Sequence, residues 1–197
     1  VTRPLVFQHG AAATAFRVAI GIWVAFEGVM QLRQRHRVAG RPGLDRSALV
    51  LGGCIAGAVV ASLRIGRDGP VQWPGGRVWP VVAGLALVAA GLGLRAWSIA
   101  TLGRFFQYRI QIQADHEVVT GGPYRYVRHP SYTGLALVVV GIALSSGDVL
   151  SPVVAFIVIT FGLAVRIHAE EGQLTEALGP RYERYAANRK RLVPGVW

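Results

Sequence analysis

Ser131–Val165 reads SYTGLALVVVGIALSSGDVLSPVVAFIVITFGLAV, and a single charged side chain, Asp148, interrupts it. On each side of that aspartate lies a run of 17 residues, 131–147 and 149–165, without Asp, Glu, Lys or Arg. At 1.5 Å per residue, a helix of that length covers most of a hydrocarbon core about 30 Å thick. Two similar runs lie upstream at 47–63 and 78–94, and Thr14–Leu32 is apolar apart from Arg17 and Glu27. One such run would suit the core of a soluble protein. Five of them in 197 residues leave almost nothing amphipathic to cover them. The pattern predicts an all-α, polytopic integral membrane protein with about five transmembrane helices.

Composition agrees and removes other classes. Apolar residues make up 52% of the chain and charged ones 16%, against about 25% charged in ordinary globular domains. That hydrophobicity excludes a disordered chain. The net charge of +11 comes from 20 Arg and one Lys against 10 acids. It does not mark a nucleic-acid partner, because the basic residues fall in the loops between spans rather than on one soluble face. Sixteen lie in 33–46, 95–128 and 166–191, and five on the other side of the spans. The bias predicts an outside N-terminus, a cytoplasmic C-terminus and a location in a prokaryotic cytoplasmic membrane.

The first span lacks a basic leader region and a cleavage motif, so it reads as retained. One membrane domain is expected over 1–197: three spans with short loops in 1–94, and the polar, chemistry-bearing material in 95–197. Cys54, alone and mid-span, reads as a small apolar filler. No His/Cys/Asp grouping has metal-ligand spacing, so no metal is expected. Glu27, an acid in mid-span, is expected to pair with an arginine of the bundle ahead of lining an acceptor tunnel. The small residues Ala83, Gly84, Ala86, Ala89, Ala90, Gly91 and Gly93 of span three suit close helix packing, with a homodimer as one use of that face.

Two polar stretches carry the chemistry. In Leu102–Gly134, Tyr108–Val119 alternates like a short extended segment, Gly121-Gly122-Pro123 makes a turn, and Pro130 suits the first turn of span four. The N–H groups at that helix start are expected to be open to an anion, a carboxylate or phosphate. The second stretch follows span five. Arg166 and Glu170 share a helix face there, and Leu174, Leu178, Tyr182 and Tyr185 recur at helical spacing as packing for a tail helix broken at Gly179-Pro180. His168 lies off that face and reads as interfacial. On composition alone, a membrane-interface belt of Arg and Tyr explains the first stretch equally well.

Gly122-Pro123-Tyr124-Arg125-Tyr126-Val127-Arg128-His129-Pro130-Ser131-Tyr132-Thr133-Gly134 resembles the G-x-Y-x-x-x-R-H-P-x-Y-x-G signature of isoprenylcysteine carboxyl methyltransferases. That family is related to membrane phospholipid methyltransferases. Leu102–Phe106, His116–Val119 and the tail R-x-x-x-E-E-x-x-L…G-x-x-Y-x-x-Y are similar to the same pattern, so the resemblance covers residues 102–194. It implies a site for S-adenosylmethionine at the cytoplasmic ends of the last two spans. His116, Val119, Gly122, Tyr124, Arg128, His129, Pro130, Tyr132, Glu170 and Glu171 would bind the cofactor, and Arg166 and Glu171 would be catalytic.

The implied acceptor is lipophilic, an isoprenylcysteine-like or other isoprenoid carboxylate that enters from the bilayer. Arg166 would grip such a carboxylate with both prongs of its guanidinium. A phospholipid amine, a reductase using NADPH and a non-catalytic membrane subunit are the alternatives. An amine or hydroxyl acceptor would need Glu171 or His129 as a base.

Overall fold

The computed structural model describes residues 4–35, 45–69, 71–74, 77–108 and 117–197. His116 and most of the segment expected to be extended lie outside them. The described chain is helical: α1 (Ala11–Arg35), α2 (Arg46–Asp68), α3 (Val78–Leu102), α4 (Pro130–Ser145), α5 (Leu150–Leu178) and α6 (Pro180–Ala187). Among the described residues there is no strand beyond two isolated bridges. α1, α2, α3 and α5 are each long and apolar enough to cross a membrane, and α4 is a shorter apolar helix of 16 residues. The protein is a polytopic, all-helical integral membrane protein.

Local chemistry sets the boundaries. Asp45 caps α2, its carboxylate accepting the Ala48 N–H at 3.0 Å. α5 continues well past its apolar run as one helix, so Arg166, Glu170 and Glu171 lie within it. It stops where Gly179 takes φ +52°, and Pro180 opens α6 from that residue. Pro130 stands at the start of α4, as its missing N–H allows.

α3 and α4 form the tightest pair, α2 and α5 the next. A Cβ on Gly91 would stand 2.5 Å from the Gly134 carbonyl oxygen, and one on Gly141 would stand 2.6 Å from that of Gly84. Gly84 and Gly91 of the small set in span three are thus used inside the chain, where two backbones meet without side chains between them, while Ala86, Ala89, Ala90 and Gly93 are exposed. Cys54 fills space opposite Gly162, as a small residue should. Gly91→Ala should lower stability by about 1–3 kcal/mol through overpacking. Gly93→Ala, which meets nothing within 4 Å, should leave the melting temperature in detergent unchanged or raised.

At the end of the bundle away from the polar clusters, buried Asp148 accepts the N–H groups of Leu150 at 2.8 Å and Val71 at 3.1 Å. It ties the α2–α3 and α4–α5 connections together. At the other end, the chain after α6 folds back onto the start of α4. The Arg128 N–H donates to Lys190 O at 2.8 Å, and the His129 N–H to Arg191 O at 2.9 Å. Those of Tyr132 and Thr133 turn back to His129 O. Of the N–H groups expected to be open to an anion at this helix start, those of Arg128, His129, Tyr132 and Thr133 are therefore engaged by the protein's own carbonyls. No local pattern in residues 188–197 marks this return.

Candidate active site

A cavity opens at this end of the bundle. Its walls are the end of α3, the segment 105–107, residues 117–119, the turn after Gly121, the start of α4, the polar half of α5, and α6. The turn Gly122–Arg125 needs its glycine: Gly122 has φ +53°, and a Cβ there would meet Thr101 Oγ1 at 2.6 Å. Pro130 likewise shapes the site without lining it, by starting α4.

Seven of the expected site residues line the cavity together: Val119, Tyr124, Arg128, His129, Tyr132, Arg166 and Glu170. Tyr132 joins the two motifs. Its hydroxyl donates to Glu170 Oε2 at 2.6 Å and accepts from Arg166 Nε at 3.0 Å. Among the described residues Glu170 makes no ion pair, and its carboxylate faces the cavity with the Tyr132 phenol as its partner.

Glu171 is turned away from the cavity wall. It takes Arg128 Nη1 at 2.8 Å, His129 Nε2 at 3.0 Å and Arg191 at 3.0 Å, and so anchors the α4 entrance and the returning tail to α5. Arg128 consequently presents its other edge to the cavity.

Arg166 is 2% exposed, yet it forms part of the cavity wall. Its Nη1 donates to Asp45 Oδ2 at 2.6 Å and to Ser47 Oγ at 2.9 Å, and its Nη2 donates to the Tyr108 carbonyl at 2.7 Å. With Nε on Tyr132, four of five N–H groups are engaged and one on Nη2 is left. The fork expected to grip a carboxylate with both prongs is held by the protein instead. Burial pushes the Asp45 carboxyl upward, but hydrogen bonds from Ser47, Arg166 and the Ala48 N–H outweigh it and hold the group well below the usual range. The stability this provides is complete above the ordinary aspartate range and is lost only as pH falls through the lowered value.

Behind the cavity, Glu27 of α1 accepts Arg95 Nε at 2.5 Å and Nη2 at 2.8 Å, Trp23 Nε1 at 3.3 Å and the Tyr108 hydroxyl. Arg95 also reaches Ser131 Oγ, in the cavity wall, at 2.8 Å. The mid-span acid pairs with an arginine of the bundle, as expected.

Four buried side-chain atoms among the described residues lack a hydrogen-bond partner, and three belong to the cavity wall: Gln107 Oε1, Arg128 Nε and Tyr182 OH. Burial pushes the Tyr182 phenol upward, so it stays protonated as a donor. Leu174, Leu178, Tyr182 and Tyr185, expected only to pack the tail helix, line the cavity as well. Tyr185 fastens α6 to the turn through its hydroxyl on Tyr124 O at 2.8 Å.

The end of α3, the R-H-P segment and the acidic stretch of α5 thus meet around one cavity, and the comparison with known proteins falls on the same stretch. Residues 83–176 match the model of the isoprenylcysteine carboxyl methyltransferase (ICMT) family. That segment, a little under half of the chain, is what the protein shares with the family. Protein-S-isoprenylcysteine O-methyltransferase B of Arabidopsis thaliana is 34% identical over 120 residues, 60% of this chain and 61% of that protein. The enzyme named protein-S-isoprenylcysteine O-methyltransferase in Schizosaccharomyces pombe is 32% identical over 114 residues, 57% of this chain and 47% of that protein. An uncharacterized Bacillus subtilis protein, YpbQ, is 26% identical over 119 residues, 60% of this chain and 67% of that protein. The chain spans about half to three fifths of the length of the two named methyltransferases. Asp45, Ser47, Glu27, Tyr182 and Tyr185 all lie outside the segment matched by the family model.

Proposed function

We propose that this ICMT-family chain is an S-adenosylmethionine-dependent methyltransferase acting on the carboxylate of an isoprenylcysteine-like or other isoprenoid acceptor. The site would face the cytoplasm, at the end of the bundle where the arginine-rich loops gather, in a single membrane domain whose residues 95–197 supply most of the chemistry. The observation that carries this reading is the cavity's unspent polar set. Among the described residues, Glu170 has the Tyr132 phenol and no cation in direct contact, and Arg128 Nε and Gln107 Oε1 have no hydrogen-bond partner.

That set fits a zwitterionic, cationic ligand. Glu170 and the faces of Tyr124 and Tyr132 would hold its ammonium and sulfonium parts, and Arg128 its carboxylate. His129 and Val119 would complete the cofactor wall, and Gly122, Pro130 and Glu171 would support it by shaping the turn, starting the helix and anchoring Arg128. When bound, the cofactor supplies an electrophilic methyl group on a positively charged sulfur.

The protein's part is then positioning and exclusion of water. An acceptor carboxylate needs no base, and the remaining Nη2 N–H of Arg166 would orient it. Leu102, Phe105, Phe106, Leu174 and Leu178 give the cavity an apolar side suited to a lipophilic acceptor.

The test is methyl transfer from labelled cofactor into a total lipid extract of the host. Release of the label by mild base identifies an ester, and a base-stable label identifies an amine acceptor. Absence of any product from protein that binds S-adenosylhomocysteine would remove a lipid acceptor. S-Adenosylhomocysteine, and not NADPH, should protect the purified protein from heating. Arg128→Ala should weaken S-adenosylhomocysteine binding about 10- to 100-fold, the worth of one charge-assisted hydrogen bond, as read by calorimetric titration.

A further inference from the structure

We infer that Asp45, at the start of α2, is a positioning residue that aims the Arg166 guanidinium at the acceptor; the inference rests on the methyltransferase reading above. Asp45 and Ser47 are absent from the cavity wall, whereas Arg166 belongs to it. The carboxylate therefore backs the arginine from the side away from the reaction. Asp45 is itself fixed, because Oδ1 accepts the Ser47 hydroxyl at 2.6 Å and the Ala48 N–H at 3.0 Å. Only Oδ2 goes to Arg166, at 2.6 Å.

An arginine side chain has several rotatable bonds, and a helix alone does not hold its end still. Here α2, α4 and the Tyr108 carbonyl each take one side of the fork, and among the described residues Asp45 at the start of α2 supplies the only charge in direct contact with it. The arrangement leaves a single N–H for the acceptor and neutralises most of the arginine's field. A bare guanidinium would grip the acceptor carboxylate strongly before reaction and hold back its attack, because methyl transfer consumes the carboxylate's charge and the ion pair stabilises the ground state more than the transition state. Pairing with Asp45 converts Arg166 from a clamp into a directional donor. The N-terminal half of the chain thereby reaches into chemistry that the family-matched segment was expected to carry alone.

The test separates the two tasks of Asp45. Asp45→Ser keeps a side chain that caps α2 about as well, but it is too short to reach Arg166. Asp45→Asn keeps a neutral acceptor in place. With full-length protein, labelled cofactor and an S-prenylcysteine acceptor, Asp45→Ser should lower kcat at least about tenfold, and Asp45→Asn should lie between it and wild type. S-Adenosylhomocysteine affinity should be unchanged in both. Millimolar formate, small enough to enter the vacated carboxylate position, should restore a large part of kcat in Asp45→Ser and none in Asp45→Asn.

Wild-type kcat in Asp45→Ser would overturn the inference. So would a loss of kcat accompanied by an equal loss of cofactor affinity and insensitive to formate, the signature of a disturbed helix start. If wild-type protein neither binds S-adenosylhomocysteine nor transfers methyl, the functional reading fails instead, and the two failures are distinct.

Discussion

Arg166→Ala should lower methyl transfer about 100- to 1,000-fold, the scale on which removing one preorganised donor from a reacting centre is felt. S-Adenosylhomocysteine should still bind, because Arg128, Glu170 and Tyr132 keep their places on other elements. The expectation follows from the way the guanidinium is held, with three of its nitrogens fixed by α2, α4 and the Tyr108 carbonyl and one N–H left over. Arg166→Lys should fail nearly as badly, since an ammonium cannot reproduce a planar fork with four fixed directions.

The variant also removes the Arg166 ion pair from Asp45, so some loss of stability accompanies the loss of rate. Measuring turnover and cofactor affinity on the same folded sample separates the two. An Arg166→Ala protein that binds the cofactor product and methylates acceptor at the wild-type rate would end the assignment.

Much of this site was readable from the sequence, and the part that was not has a common cause. Arg166 and Glu170 stand four residues apart on one helix, so their shared face was legible from spacing, whereas Tyr132 joined them only through the family resemblance. The Gly179-Pro180 break, the pairing of Glu27 and the packing use of Gly84 and Gly91 were legible for the same local reasons: a backbone preference, a desolvation cost and a missing side chain.

Contacts made across long sequence separations left no such mark. Nothing in the residues around Asp45 says that α5 brings Arg166 alongside. The tail was legible as an amphipathic turn of helix, but not as the partner of the α4 N–H groups, which is why an open anion site was expected there. Glu170 and Glu171 are adjacent and chemically identical. Only the helix's rotation decides that one meets the cavity and the other meets Arg128, His129 and Arg191.

Glu27→Ala should be the most damaging single change to stability, at about 3–5 kcal/mol, because it strands a buried cation. Arg95 is 3% exposed, and Glu27 takes both its Nε and Nη2. Losing that carboxylate also deprives Tyr108 and Trp23 of their acceptor. α1 is otherwise held by a short row of buried side chains, chiefly Ala13, Phe16 and Trp23, while Val18, Ile22, Val24, Val29 and Leu32 face outward.

The consequence should reach the site through two neighbours: Ser131, which Arg95 holds at 2.8 Å, and Tyr108, whose carbonyl supports Arg166. Thermal unfolding in detergent should show the loss. The double variant Glu27→Ala/Arg95→Met should recover part of it, because removing both charges costs less than isolating one. Simple additivity of the two replacements would mean that the pair contributes no coupling and that α1 is held by its apolar contacts alone.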